Sequence, residues 1–92
     1  GEIQAVLTSY DRAKVVGVLY ADDKPRYAWF DADRARLQAQ IDATLPETFN
    51  SVVSRTVDEQ LLVVFARSDR DPGTYYLLDR RGQVTQAWIL TA

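Results

Sequence analysis

The sequence predicts a mainly β protein, with antiparallel strands organised as two β-propeller-blade-like repeats and one amphipathic helix at about residues 32–44. Three observations predict it: seven short runs rich in Val, Leu, Tyr, Thr and Trp, one segment with helical spacing, and a similarity between the two halves of the chain. A chain of 92 residues forms at most one modest core, since it buries only about 60–65% of its unfolded surface. We therefore expect residues 1–92 to be a single domain or a fragment of a propeller.

The predicted strands share β-branched, aliphatic and aromatic residues bounded by turn formers. They cover residues 3–9, 15–21, 26–30, 51–56, 61–67, 74–78 and 83–91. Three loops between them carry specific turn residues. Pro25 is expected in a hairpin loop, Pro72 and Gly73 in the middle of a type II turn, and Gly82 in the left-handed conformation at the end of a tight turn.

Residues 32–44 depart from the β pattern. Leu37, Ile41 and Leu45 recur at four-residue spacing with polar residues between them, which is typical of an amphipathic helix. Asp31 is placed to cap the first turn, and Pro46 is placed to end the helix.

The two halves of the chain align with one another. At an offset of 46, residues 6–8 (VLT) fall on 52–54 (VVS), and residues 15–19 (VVGVL) fall on 61–65 (LLVVF). After a two-residue insertion, residues 27–31 (YAWFD) fall on 75–79 (YYLLD). The first repeat then covers about 3–31, the helix 32–44 and the second repeat about 49–91. A period of 40–50 residues with three or four strands is typical of a propeller blade. The alternative is a chance match, since hydrophobic alternation aligns any antiparallel meander with itself.

Residues 68–80, SDRDPGTYYLLDR, resemble the N-terminal β-propeller domain of bacterial prolyl oligopeptidase-family serine peptidases, in the dipeptidyl aminopeptidase and acylaminoacyl peptidase branch. Residues 15–31, VVGVLYADDKPRYAWFD, and residues 50–69, NSVVSRTVDEQLLVVFARSD, agree with the same family. The resemblance covers roughly residues 3–90. It implies a propeller that gates and positions peptide substrates, beside an α/β-hydrolase domain that carries the Ser, Asp and His of catalysis.

The resemblance transfers no catalytic residue to this chain. The sequence contains no His and no Cys, and no serine has the flanking glycines of a Gly-x-Ser-x-Gly elbow. The four glycines are too far apart for a phosphate loop. We therefore expect no catalytic, cofactor-binding or metal-binding residue, and we expect the chain itself not to be an enzyme.

Paired carboxylates are the remaining source of chemistry. Such pairs occur at 22/23, 31/33, 58/59 and 69/71, but each falls in a predicted loop or helix start, where Asp bonds local backbone amides. Residues 69–73 also resemble the start of a calcium loop, without its later acidic ligands. The aromatic residues alternate with aliphatic ones on predicted strands, which favours core or blade-to-blade packing over a stacking platform for a ligand.

Charge and hydropathy argue against two kinds of partner, nucleic acids and membranes. The net charge is −2 with the two signs interleaved, so no nucleic-acid partner is expected, and no apolar run approaches the roughly 20 residues of a membrane span.

The leading function is a non-catalytic propeller fragment of a prolyl oligopeptidase-like peptidase. Its partners are the parent's α/β-hydrolase domain and, indirectly, a peptide substrate. The alternative is a self-contained module that binds a peptide or protein by edge-strand addition. Self-association through exposed sheet faces or edges is also expected, and the cell compartment is not assigned.

Overall fold

A computed structural model describes residues 2–9 and 11–91. In order along the chain, its elements are β1 (Glu2–Thr8), β2 (Val15–Ala21), β3 (Pro25–Trp29), α1 (Ala32–Thr44), β4 (Phe49–Arg55), β5 (Leu61–Arg67), β6 (Thr74–Asp79) and β7 (Gln86–Ile89). The mainly β prediction is confirmed: the described residues form seven strands in two antiparallel sheets with one helix, and 48% of them are in strands. Both sheets are open, and they do not form a closed propeller.

The chain divides into two compact units, residues 1–40 and residues 41–92. The first contains a three-stranded sheet in the order β1-β2-β3, and the second a four-stranded sheet in the order β4-β5-β6-β7. Helix α1 begins in the first unit and ends in the second. Within the described residues no helix is long and apolar enough to cross a bilayer, α1 having 13 residues.

The strand pairing of the two sheets follows the alignment predicted from the sequence except beside the first loop of each sheet, where Leu7 pairs with Gly17 but Ser54 pairs with Val63. In the first sheet Leu19 lies opposite Tyr27, and in the second Phe65 lies opposite Tyr75. The outer pairing agrees as well, since Val6 lies opposite Val18 and Val52 lies opposite Val64. Chance alternation would fix only the facing of side chains, because their period is two. Because the two sheets also agree in these residue pairs, their backbone registers are related, which chance alternation does not explain.

The loop between β1 and β2 is closed by one carboxylate. Asp11 Oδ1 accepts hydrogen bonds from the Ser9 hydroxyl at 2.6 Å and the Ala13 amide at 3.0 Å. The Ser9 amide donates to the Lys14 carbonyl at 2.9 Å, and the Arg12 amide donates to the Ser9 carbonyl at 2.8 Å. Arg12 is in the left-handed region with φ of 61°.

The loop between β4 and β5 repeats that arrangement bond for bond. Asp58 Oδ1 accepts from the Thr56 hydroxyl at 2.7 Å and the Gln60 amide at 3.1 Å. The Thr56 amide donates to the Leu61 carbonyl at 3.0 Å, and the Glu59 amide donates to the Thr56 carbonyl at 2.9 Å. Glu59 has φ of 59°. Each loop therefore has a Ser or Thr, an Asp two residues later and a left-handed residue after it, which is a local sequence signal of the repeat.

Helix α1 occupies the predicted residues and begins at the predicted cap. Asp31 Oδ2 accepts a hydrogen bond from the Arg34 amide at 3.0 Å, which satisfies one of the free donors of the first turn. The Lys14 ammonium lies 3.5 Å from Asp31 Oδ1. Leu37 and Ile41 are buried, as their spacing predicted, whereas Leu45 lies just beyond the helix and is half-buried.

A buried amide links the end of α1 to the start of β4. Asn50 is 1% exposed. Its Nδ2 donates to Asp42 Oδ1 at 3.0 Å and to the Leu45 carbonyl at 2.9 Å, and its Oδ1 accepts from the Thr48 hydroxyl at 2.6 Å. These bonds satisfy a polar side chain inside the protein and hold a carbonyl that the helix end leaves without an intrahelical donor.

Three turn predictions are wrong in detail. Pro25 is the first residue of β3, opposite Ala21, and not a loop residue, since the first position of a strand tolerates a missing amide. Gly73 has φ of 149°, far from the roughly +80° of a type II turn. The loop is closed instead by the Ser68 amide, which donates to the Asp71 carbonyl at 2.9 Å.

The last predicted turn also differs. Gly82 does not adopt the left-handed conformation, and the chain bends through residues 81–84 before β7 starts at Gln86. In this segment the Arg81 side chain folds back onto Asp79. Strand β7 is shorter than the predicted 83–91. Strands β2 and β5 match their predicted bounds, and the remaining strand ends differ from the prediction by at most two residues.

Candidate interaction surface

One face of the second sheet has a fully buried centre on β5 and β6. Leu62 pairs with Leu78 across β5 and β6, so their side chains lie on the same face, together with Val64 and Ala66. All four side chains are 0% exposed. The intervening residues of β5 lie on the other face, and they are less buried.

The opposite face of this sheet is apolar but not buried. Its members are half-buried or exposed, and we call it the open face: Leu61, Val63, Phe65, Tyr75, Leu77 and Trp88. Tyr75 and Trp88 are the most exposed of them, with Trp88 at 55%. An apolar sheet face that stays accessible in this way is typical of an interaction surface.

Aromatic contacts organise the open face. The rings of Phe65 and Tyr75 lie across the strand pair with centroids 4.8 Å apart and planes tilted by 50°. Phe65 also lies over Gly73, where a Cβ atom would come within 2.0 Å of the ring. At the end of the same face, the Arg67 guanidinium lies 5.2 Å from the centre of the Phe49 ring. Glycine at position 73 is thus required by close approach as well as by its φ.

In the first sheet Tyr27 is equivalent to Tyr75, and Trp29 is equivalent to Leu77. The rings of Tyr27 and Trp29 lie 5.0 Å apart. Trp29 lies opposite Gly17, where a Cβ atom would be 2.8 Å from the indole ring and 2.7 Å from the Ala28 carbonyl. The indole nitrogen of Trp29 is buried and has no hydrogen-bond partner among the described residues. The two rings therefore contact each other along β3 and are half-buried.

Strand β7 forms an exposed edge of the second sheet. All four of its residues are exposed, and Ile89, at 61%, lies on the face opposite to Trp88. Leu90, which follows β7, is exposed too. The edge therefore presents large apolar side chains on both faces of β7, and the outer side of this strand pairs with no other strand among the described residues.

Charged groups gather at the end of this sheet where β6 stops. Arg81 donates from Nε to Asp79 Oδ1 at 3.0 Å and from Nη2 to Oδ2 at 2.9 Å, and its amide donates to Oδ1 at 3.0 Å. This fork lowers the pKa of Asp79 from 3.8 to about 2. The same contact raises the pKa of Arg81.

The neighbouring carboxylates perform local structural roles. The Thr56 hydroxyl and the Gln60 amide lower the pKa of Asp58, and the corresponding bonds from Ser9 and Ala13 lower the pKa of Asp11. A shallow depression of about 490 Å³ lies beside Asp58, lined by Thr56, Val57, Asp58, Gln60, Leu61 and Arg81. Asp58 already accepts hydrogen bonds from Thr56 and Gln60, and Arg81 already donates to Asp79. We therefore do not place the site there.

The carboxylate pairs singled out in the sequence lie in turns and caps. Asp31 caps α1, Asp33 pairs with Arg36, and Asp22 lies 2.9 Å from Arg26 Nη2. Asp71 accepts from the Gly73 amide at 2.9 Å and the Thr74 hydroxyl at 3.0 Å. No group of three or more Asp, Glu, His or Cys residues that could hold a metal ion occurs within residues 2–9 and 11–91.

We did not identify from the sequence which face of the second sheet stays open. The signal was present in the alternation along β5, where both sets of side chains are apolar. Comparison with known proteins finds no matching family model, no matching curated protein and no matching solved structure. The family resemblance therefore rests on the residues quoted for it.

Proposed function

We propose that this chain is a non-catalytic β-propeller segment of a prolyl oligopeptidase-like serine peptidase. It would help to gate and position peptide substrates for an α/β-hydrolase domain elsewhere in the parent protein. The observation that carries the proposal is the second sheet, whose four antiparallel strands carry apolar side chains on both faces. In a propeller each blade is such a sheet, and its faces are covered by neighbouring blades.

The relation between the two sheets supports the same proposal. They agree in strand order, in residue pairing and in the bonded Ser/Thr-x-Asp loop between the first two strands. A propeller is built by repeating one such unit, so related units within one chain are expected. A single unrepeated β module gives no reason for this agreement.

The stretch that resembles the peptidase family has a structural role in this fold. The Ser68 hydroxyl accepts from the Arg70 and Asp71 amides at 3.1 Å, and Asp71 in turn fixes Gly73 and Thr74. Together these bonds form a tied loop between β5 and β6. On this proposal the resemblance concerns the architecture of a blade. The nucleophile and the base lie in another domain of the parent protein.

The test is to express the complete open reading frame and assay it against aminoacyl and dipeptidyl substrates, in parallel with this chain alone. We expect hydrolysis by the complete protein, inactivation by a serine-directed reagent, and no hydrolysis by this chain. A reading frame without a Gly-x-Ser-x-Gly hydrolase domain would reject the proposal.

The open face gives a second measurement on the isolated chain. A fluorescent dye that binds apolar surface should bind this chain, and Leu77→Lys should reduce that binding several-fold by placing a charge in the open face. Val57→Lys is the matched control, since Val57 is exposed in the β4–β5 loop away from the sheet. Equal effects of the two changes would argue against a face that receives a neighbouring blade.

A second candidate function is favoured by the exposed β7 edge. A self-contained module could add a peptide or protein strand there, with main-chain hydrogen bonds and side-chain pockets supplying recognition. This candidate predicts a stable monomer that binds little dye and does not require an enzymatic parent.

A further inference from the structure

The unpaired main-chain groups of β7 can be assigned from one hydrogen bond. The Leu90 amide donates to the Tyr75 carbonyl at 2.8 Å, and the pairing register continues regularly along β7. Main-chain groups alternate between the two sides of an antiparallel strand. Trp88 and Leu90 therefore point their amides and carbonyls toward β6, while Ala87 and Ile89 point theirs outward.

The other sheet edges carry features that discourage pairing with another strand. Strand β1 contains Glu2 and two register irregularities, and β3 begins with Pro25 followed by Arg26. Strand β4 has a register irregularity and ends in Arg55. Charges, proline and bulges are the usual means by which proteins protect an edge.

Strand β7 has none of these protections in its described residues. Its pairing with β6 is regular, and residues 82–91 contain no charged side chain and no proline. It also exposes Trp88 and Ile89 on its two sides. Of the four edges, β7 alone is equipped to accept another strand without a steric or electrostatic cost.

We propose that two copies of this chain associate through β7, whose strands pair antiparallel about a two-fold axis at Trp88. In that register Ala87 lies opposite Ile89 of the second copy, and the outward amides and carbonyls of these two residues bond to each other. The interface is isologous, so the same pair forms twice. The two four-stranded sheets then become one continuous sheet.

Charge and side-chain volume favour a second copy as the occupant. No like charges face each other, because the whole pairing segment is uncharged. A small side chain, Ala87, faces a large one, Ile89. Trp88 faces its own counterpart in a non-hydrogen-bonded pair, where side chains approach most closely and aromatic pairs stabilise a sheet.

This association is independent of the proposed function. It uses the edge of the sheet, whereas neighbouring blades would cover its faces.

The first test is sedimentation equilibrium of the chain over a wide concentration range, for the wild type and Ile89→Pro. Proline at 89 removes an outward amide without removing a bond to β6. We expect a monomer–dimer equilibrium whose dissociation constant rises at least about tenfold in Ile89→Pro, because two symmetric hydrogen bonds are lost. Far-UV circular dichroism checks that the variant keeps its strands. A monomeric wild type, or a folded Ile89→Pro that dimerises as tightly, would overturn the proposal.

The second test fixes the register and does not depend on proline. The chain has no cysteine, so a single one introduces a unique thiol. Trp88→Cys should form an intermolecular disulfide on mild oxidation, since its two copies face each other at a Cα separation near 4.5 Å. Ile89→Cys, whose copies lie more than about 7 Å apart, and Val6→Cys on β1 are the matched controls. We expect cross-linking at least about fivefold faster for Trp88→Cys, and equal rates in all three variants would overturn the two-fold register.

Discussion

The first three strands of each sheet pair in the same order and in a related register, but equivalent pairs carry side chains of different size. In the second sheet Val63 lies opposite Leu77, whereas the equivalent pair in the first sheet is Gly17 opposite Trp29. One sheet combines two side chains of medium size, and the other combines a large ring with no side chain at all. The repeat therefore conserves backbone pairing, while the side-chain volume is redistributed between partners.

The difference extends to the ends of the third strands. Leu78 is 0% exposed, whereas Phe30, its counterpart in the alignment, is 67% exposed. In the first sheet the chain leaves the strand at this point, since the Phe30 and Asp31 amides both donate to the Val16 carbonyl. A repeat position can thus be core in one unit and surface in the other.

The largest expected effect separates these two positions. Leu78→Ala should lower the free energy of unfolding by about 2–5 kcal/mol, because it removes a fully buried side chain and leaves a cavity. Phe30→Ala should change it by less than about 0.5 kcal/mol. Urea denaturation of both variants measures the difference. Similar losses would mean that the two positions are equivalent in the folded protein as well as in sequence.

A smaller effect tests the glycine of the first sheet. Gly17→Ala should lower the free energy of unfolding by about 1–3 kcal/mol, because the new Cβ would lie 2.7 Å from the Ala28 carbonyl and 2.8 Å from the Trp29 ring. Gly82→Ala is the control, since the nearest atom is 3.7 Å away and the backbone angle is ordinary. It should be neutral or slightly stabilising. A neutral Gly17→Ala would show that Trp29 can move, and that Gly17 is not required by its partner.

How well the sequence predicts this fold depends on the range of the interaction involved. Helix α1 and strands β2 and β5 match their predicted bounds, since periodicity and flanking turn residues are local signals. Strand β7 and Gly82 were predicted less well: the chain bends over residues 81–84, where the Arg81 side chain folds back onto Asp79. Hydrophobic patterning does not record such a side-chain contact.

The candidate surface was predicted only in outline. Strand β5 carries apolar residues at successive positions, so both faces of the sheet are apolar there, but which face is buried depends on tertiary packing. The outward groups of β7 depend on the register with β6, which no sequence pattern states. The bonded Asp11 and Asp58 loops could have been found, since a Ser or Thr precedes each Asp by two residues.

Those two loops offer the next test. Arg12 and Glu59 both occupy the left-handed region, which disfavours residues other than glycine. Arg12→Gly should raise the free energy of unfolding by about 0.5–1 kcal/mol, after the added freedom of the unfolded chain is subtracted. Glu59→Gly should gain less, because Glu59 Oε2 lies 3.5 Å from Arg55 Nε and that ion pair is lost. Thermal denaturation of both variants gives the comparison, and a destabilised Arg12→Gly would indicate that the arginine makes a stabilising contact in its loop.

The smallest effect concerns Asp31 and Asp79, which occupy equivalent positions in the two repeats but bind different groups. The Arg34 amide is the main cause that lowers the pKa of Asp31, and the Arg81 side chain is the main cause that lowers the pKa of Asp79 to about 2. Both pKa values are lower in the folded chain than in the unfolded one. Their stabilising contributions are therefore complete above the ordinary value of 3.8 and are lost as the pH falls, for Asp79 down to about pH 2.

Arg81→Gln should separate the two carboxyl groups. Without the guanidinium fork the pKa of Asp79 should rise toward 3.8, and the acid side of the stability profile should become less steep between pH 4 and pH 2. The pKa of Asp31 should stay where it is, since a backbone amide of α1 holds it. Carbon-detected NMR titration of the two carboxyl groups measures both values in one experiment. If Asp79 titrates near 3.8 in the unmodified chain, the fork does not persist in solution.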